Sequence, residues 1–184
     1  ARSGGDWLET KLLTCGQRTN PWYQECSDRV CKLGEMISFD TDMIGPYGYC
    51  ADISRSWTCG DSPMTDTQRR LYDSALEQIH HNLALVRPGT SFEEFNEQSW
   101  QIPEEYVPYR YSLAVHGVGM ADEWPVIPLH VDWGSGAMSG RFEPGMVVCV
   151  ESLIAEMGSE SIKLETQVLI TETGCERLDS FPFE

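Results

Sequence analysis

Positive charge is scarce in this chain. Its 184 residues carry 13 Lys and Arg against 29 Asp and Glu, a formal net charge of −16. Nucleic acids and anionic membrane surfaces are bound through basic patches, so neither is expected as a partner. No apolar run reaches the roughly 18 residues that a membrane-spanning helix requires. The opening residues ARSGGDWLETK are polar and do not form a secretory signal, so a cytoplasmic protein is expected. The chain also lacks an initiating Met and stops abruptly at SFPFE, which leads us to expect a piece of a longer protein. Seven cysteines are present but no Cys-x-x-Cys pair, so zinc-ribbon spacing is excluded. These thiols read as mostly reduced, small hydrophobic residues. No nucleophile-elbow motif surrounds any serine, which leaves serine catalysis unsupported.

What remains is an ordinary apolar fraction in a chain long enough for one domain with its own core. KLLTCGQRT, EMISFDTDM and CADISRSWTCG read as strands, the last following a GPYG turn. TDTQRRLYDSALEQIHHNLALVRPG reads as a helix. Thr65 and Gln68 have capping-box spacing, and Leu71, Ala75, Ile79 and Leu83 recur along one face. Ser91 and Glu94 repeat the capping spacing at the start of a second helix. FEPGMVVCVESLIAE and SIKLETQVLITETGCERL look like the arms of a hairpin. With no internal repeat or long linker, residues 1–184 are treated as one α+β domain.

Acidic residues are poor strand formers, yet Asp40, Asp42 and Asp52 lie in segments that read as strands. Alternation in ISFDTD sends Ser38, Asp40 and Asp42 to one face, with the two carboxylates about 7 Å apart at the backbone. Buried like charges this close raise each other's pKa unless a cation lies between them. Glu151 favours a cation, because it is one carboxylate inside the apolar run GMVVCVESLIAE. Unpaired, it would cost several kcal/mol. Glu165, in KLETQ, lies on the more polar side of its strand and by itself reads as exposed. His116 sits among glycines in AVHGVGMADEW, where the backbone can approach a site closely. An oxygen-rich set with one imidazole suits Mn, Fe, Co or Zn. The set of Asp40, Asp42, Asp52, His116, Glu151 and Glu165 is more than one ion takes. Two divalent ions about 3.5–4 Å apart fit it better.

In its order Asp, Asp, His, Glu, Glu this set resembles the pita-bread metallopeptidase family of methionine aminopeptidases, proline dipeptidases and creatinase. The matching segments are DMIGPYGYCAD, DISRS, HGVGM, PGMVVCVES and LETQVLIT, and the resemblance spans nearly the whole chain. It implies the pita-bread fold and a catalytic C-terminal domain whose N-terminal domain is missing, within a full-length protein that forms a homodimer.

The pattern also departs from the peptidases. Asp42 and Asp52 are ten positions apart, one fewer than the family's usual spacing, and Asp40 is added before them. HGVGMADEWP has Asp122 where peptidases place a second histidine, and GQRTNPWYQECSDR lacks the histidine that precedes their first metal Asp. This combination resembles the dimethylsulfoniopropionate (DMSP) lyases of marine bacteria. That branch implies metal binding by all six residues, Asp122 as the base and Tyr111 lining the substrate pocket. The substrate would be a small zwitterionic sulfonium. Apolar burial beside Trp124 would raise the Asp122 pKa, and the aromatic faces of Tyr111, Tyr109, Trp124 and Trp22 would receive the sulfonium. His80 and His81 read as a solvated helix face, and for His130 a role as displaced substitute for a peptidase histidine is the minority reading. Two rival readings stand beside the lyase: an Xaa-Pro metallopeptidase and a non-catalytic binding module of the same fold.

Overall fold

The computed structural model describes residues 4–134 and 138–183. Its first half is built from short strands: β1 (Trp7–Leu8), β2 (Leu13–Cys15), β3 (Met36–Asp40), β4 (Met43–Ile44), β5 (Cys50–Ala51) and β6 (Ser54–Thr58). Two helices follow, α1 (Asp66–Leu85) and α2 (Phe92–Gln98). The second half contains β7 (Leu113–Val118), β8 (Asp122–Pro128), β9 (Val147–Ile154), β10 (Ile162–Ile170) and β11 (Cys175–Arg177). The result is an α+β architecture with a five-stranded antiparallel sheet ordered β11-β10-β9-β7-β8. Smaller sheets are ordered β2-β3-β6 and β1-β4-β5.

α1 starts where its sequence dictates. The Thr65 side chain accepts from Gln68 N–H, and the Gln68 side chain caps the Thr65 N–H in return. Leu71, Ala75 and Ile79 form the buried stripe and pack with Phe92, Phe95 and Phe142 into the core. α1 lies against β9 and β10, and Ser152 Oγ donates to Gln78 Oε1 at 2.6 Å across that contact. α2 is capped by Ser91, whose hydroxyl accepts from Glu94 N–H.

β9 and β10 pair from Ile154 opposite Ile162 to Val147 opposite Leu169, which sets Glu151 directly across from Glu165. β7 lies on the other edge of β9 with His116 opposite Cys149. Gly117 is needed here, since a Cβ on it would collide with the Trp124 carbonyl of β8. The β2-β3-β6 sheet closes against β10: Lys163 N–H donates to Ser56 Oγ at 2.9 Å, and Ser56 Oγ lies 3.1 Å from Lys163 O.

Two expectations are corrected by these elements. β3 ends at Asp40, and Asp42 follows in a left-handed turn (φ 28°), so the two carboxylates do not share one strand face. Among cysteines expected to be mostly reduced, Cys15 and Cys31 form a disulfide with their Cα atoms 5.8 Å apart, while Cys26, Cys50, Cys59, Cys149 and Cys175 are free.

Candidate metal centre

The face of β10 that carries Glu165 looks into a cavity of about 280 Å³. Every candidate ligand lines it: Asp40 from the end of β3, Asp42 from the turn after it, Asp52 between β5 and β6, His116 from β7, Glu151 from β9 and Glu165 from β10. Asp122, at the start of β8, and Tyr111, just before β7, line it too. These side chains converge because three antiparallel strands place His116, Glu151 and Glu165 side by side, while the β3–β6 pair brings the aspartates in from the opposite side. Glu165, read from its flanks as exposed, is fully buried.

Two groups of potential ligand atoms lie within 4.8 Å of one another: Asp40 with Asp42 and Asp52, and His116 with Cys149 and Glu165. His116 Nε2 is 3.0 Å from Glu165 Oε1, 3.6 Å from Glu151 Oε1 and 3.9 Å from Asp52 Oδ2. The other ring nitrogen, Nδ1, faces the Gly117 carbonyl at 3.2 Å. A proton on Nδ1 therefore leaves Nε2 free to present its lone pair to the cluster. Ser54 Oγ lies 2.6 Å from Asp40 Oδ1 and 2.7 Å from Glu165 Oε2. One hydroxyl proton cannot serve both oxygens at once.

The cluster is short of positive charge. Burial pushes the carboxyl of Asp52 well above its usual range, and neighbouring Glu165 and Asp40 push it further. Asp42 is raised to about 7 by burial and by Asp40. Glu151 is raised to about 7 by burial, even with Lys163 beside it. Burial acts on Glu165 in the same direction, but Lys163 and His116 overcome it and hold that carboxyl low. Burial disfavours a charged His116, yet the hydrogen bond to Glu165 prevails and raises its pKa to about 10. Asp52 Oδ1 and Glu151 Oε1 are buried and have no hydrogen-bond partner. Buried carboxylate oxygens without donors are what a divalent cation satisfies, so the residues present fit a metal centre. The donors are carboxylates and one imidazole. Burial keeps the nearby Cys149 thiol protonated, which favours oxygen-preferring ions over a thiolate site.

The rest of the cavity is aromatic and acidic. Trp22 and Tyr23 reach it from the segment closed by the Cys15–Cys31 disulfide, and Glu9, Thr10, Leu12, Glu123 and Lys163 complete the wall. The rings of Tyr23 and Tyr111 meet edge to face at 5.3 Å, and Tyr111 Oη donates to Glu123 Oε1 at 3.1 Å. Asp122 is raised above its usual range, first by burial, while His116 works against the shift.

Trp124 is a correction: its side chain is 62% exposed and borders a neighbouring groove along Gly117–Ala121, outside the cavity. It therefore cannot supply the apolar burial expected around Asp122. Tyr109 and His130 do not line the cavity either, and His130 Nδ1 faces Asn96 Oδ1 at 3.2 Å. His80 and His81 are exposed on α1 as expected. Sequence reasoning missed Lys163, Tyr23 and Glu123. Lys163 was accessible to it, since a residue two before Glu165 on a strand shares its face.

The comparisons with known proteins agree with this geometry. The model of metallopeptidase family M24 matches residues 2–172. The chain is 45% identical over its whole length to a dimethylsulfoniopropionate lyase, DddP, of Roseovarius nubinhibens, of which it spans 41%. It is 28% identical over 170 residues to an Xaa-Pro dipeptidase of Pyrococcus furiosus, covering 46% of that protein. Among solved structures, the prolidase from Pyrococcus furiosus superposes with a TM-score of 0.84 at 25% identity, over 98% of this chain and 52% of that one. The fold is thus the pita-bread fold expected from the ligand order. No helix among the described residues is long and apolar enough to cross a membrane. On the extent of the family match and the identity to its members, the chain belongs to metallopeptidase family M24.

Proposed function

We propose that this chain carries the active site of a metal-dependent carbon–sulfur lyase that cleaves dimethylsulfoniopropionate to dimethyl sulfide and acrylate. The observation that carries the reading is the placement of Asp122 in one cavity with the carboxylate–imidazole cluster and three aromatic rings. His116 is the one histidine lining that cavity among the described residues, whereas the peptidase pattern brings further histidines to the scissile bond.

Asp40, Asp42, Asp52, His116, Glu151 and Glu165 would hold two divalent ions. Bound there, such ions would engage the substrate carboxylate and acidify the adjacent C–H bond. Asp122 removes that proton. The electron pair of the C–H bond becomes the new carbon–carbon double bond, the C–S bond breaks, and neutral dimethyl sulfide leaves with the bonding pair. Asp122 then releases its proton to solvent. Burial suits Asp122 to this role, because an ordinary aspartate with a pKa near 3.9 is a weak base. The rings of Trp22, Tyr23 and Tyr111 line the cavity, and each ring face that meets the sulfonium would contribute roughly 0.5–2 kcal/mol. No water is added in this reaction, so the peptidase histidines are not required.

The competing reading is hydrolysis of Xaa-Pro dipeptides, supported by the fold of the prolidases. A non-catalytic module is disfavoured because all six candidate donors line the cavity and two of their buried oxygens, Asp52 Oδ1 and Glu151 Oε1, lack partners. The test is headspace analysis of the complete natural protein incubated with dimethylsulfoniopropionate, alongside an Ala-Pro cleavage assay. Volatile sulfide without Ala-Pro cleavage supports the lyase, and the reverse result selects the peptidase.

A further inference from the structure

The candidate metal centre contains a cation of the protein's own. Lys163 and Glu165 share one face of β10, and the Lys163 side chain is 2% exposed. Its Nζ lies 2.6 Å from Glu151 Oε2, 3.1 Å from Glu165 Oε2 and 3.9 Å from Asp40 Oδ2. The same ammonium stands 5.9 Å from the ring centre of Trp22 and 5.6 Å from that of Tyr111. Its backbone is fixed through Ser56 on both the N–H and the carbonyl.

The two glutamates are divided between two partners. Lys163 takes the Oε2 atom of both, and His116 Nε2 faces the Oε1 atom of both, at 3.0 Å from Glu165 and 3.6 Å from Glu151. Of the two orphaned oxygens, Glu151 Oε1 faces His116 Nε2, and Asp52 Oδ1 belongs to a carboxylate whose other oxygen, Oδ2, lies 3.9 Å from the same nitrogen. The Oε2 side is thus already neutralised by an ammonium that solvent does not reach, while the Oε1 side holds the unpartnered Glu151 oxygen beside the His116 ring.

We propose that Lys163 is a resident counter-cation of this centre. It holds the ligand carboxylates together when divalent ions are absent, and its charge, which stays in the cluster, weakens the binding of those ions. The two effects have one cause. Buried carboxylates repel one another unless a cation sits among them, and that cation repels the next one to arrive. A centre built this way exchanges its ions more readily than the same carboxylates would without the lysine. The inference rests on the metal reading of these carboxylates and not on the identity of the substrate.

The test compares the complete natural protein with its Lys163→Met and Lys163→Arg variants after stripping with a chelator. Binding of Mn²⁺ is measured by titration calorimetry, and Tm is measured with and without Mn²⁺. Lys163→Met is expected to lower the metal-free Tm by ~5 °C or more. It should also tighten Mn²⁺ binding at least about tenfold, the factor that charges a few ångströms apart give even at the dielectric of water. Mn²⁺ should then restore most of the lost Tm. Lys163→Arg keeps the charge and should stay close to wild type in both measurements. An unchanged or weaker Mn²⁺ affinity in Lys163→Met overturns the proposal. So does an equal loss of Tm with and without Mn²⁺, or failure to fold in either state, because each marks a residue that only fills space. A wild-type protein that folds but binds no Mn²⁺ overturns the metal reading itself, and the proposal with it.

Discussion

His116 Nε2 faces Glu165 Oε1 across 3.0 Å although their strands, β7 and β10, are separated in the sheet by β9. The contact spans the width of β9, on which Cys149 lies opposite His116 and Glu151 lies opposite Glu165. The imidazole is thus positioned by a carboxylate from another strand, and neither group can be lost without disturbing the other. His116→Ala is expected to weaken divalent-metal binding by more than the roughly 10- to 100-fold that losing an outer-shell partner costs, because the proposal makes His116 a direct ligand. Glu165→Gln should do the same. Elemental analysis after dialysis checks this, and full activity after chelator treatment would argue against a metal mechanism.

In the proposed lyase reaction, Asp122 separates metal binding from chemistry. Asp122→Asn should reduce lyase turnover by roughly 10²–10⁴-fold, the contribution of a positioned base, while metal content stays at the wild-type level. If metal falls in step with activity, Asp122 is a ligand. The pH profile gives a second reading. Burial raises the Asp122 pKa, and a base works only when ionised. Rate is therefore full above the raised value and is lost as pH falls through it. The acidic limb of kcat/KM should have its midpoint above ~3.9. A midpoint at or below that value would show that another group carries the proton.

The sequence made the helices and the central hairpin legible because their signals are local. The Thr65–Gln68 capping box, the four-residue stripe of α1 and the apolar arms of β9 and β10 all act within a few residues. The convergence of the candidate ligands was legible for another reason: a carboxylate inside an apolar strand, such as Glu151, has few explanations. Tertiary geometry was not legible. Asp42 leaves the strand alternation because its backbone enters the left-handed region, which no neighbour in sequence announces. Glu165 has polar flanks, yet β6 and its serines cover it. Trp124 shares a short segment with Asp122 but turns outward, after a left-handed Glu123 (φ 54°), and misses the cavity. Cys15 and Cys31 meet only because the chain between them loops back, and spacing does not encode that.

Tyr111 and Trp124 can now be told apart by kinetics. Tyr111 lines the cavity, meets Tyr23 edge to face and donates to Glu123. Tyr111→Ala removes a ring face contributing roughly 0.5–2 kcal/mol to a bound cation, so KM for the sulfonium should rise about 2- to 30-fold. Tyr111→Phe keeps the face and loses the hydrogen bond to Glu123, so its effect should be smaller. Trp124→Ala should leave KM near wild type. Steady-state kinetics on all three variants decides this, and a KM effect confined to Trp124 would reverse the assignment.

The Cys15–Cys31 bridge closes a segment that delivers Trp22 and Tyr23 to the cavity wall. Replacing both cysteines with serine should cost about 2–4 kcal/mol of stability, because a closed loop of this length restricts the unfolded chain. It should also raise KM more than it lowers kcat, since the freed segment holds substrate-facing rings and none of the candidate ligands. Chemical denaturation and steady-state kinetics test the two halves. Unchanged stability together with unchanged KM would mean that the segment is held by its other contacts.

Arg55 shows how the site is supported from behind. It is 3% exposed, and it is the fourth residue of the DISRS segment that carries Asp52. Its guanidinium donates to the Ser54 carbonyl at 2.7 Å, to the Pro182 carbonyl at 2.9 Å and to Asp179 Oδ1 at 2.9 Å. It also donates to the Glu165 carbonyl, and it stacks on Phe183 with 4.2 Å between its central carbon and the ring centre. One planar group thus ties the C-terminal segment to the backbone of Glu165 and to the strand that follows Asp52. Arg55→Ala takes one of two arginine partners from the half-buried Asp179, which keeps Arg177, and leaves the Ser54, Glu165, Phe181 and Pro182 carbonyls without this donor, a loss of about 3 kcal/mol. Lys donates from a single nitrogen and cannot reproduce the fork, so Arg55→Lys should recover less than half of that. Urea denaturation of the three proteins measures both values. Metal affinity should fall in Arg55→Ala as well, since Glu165 loses the anchor on its carbonyl. If stability falls while metal affinity holds, the C-terminal segment depends on Arg55 and the metal centre does not.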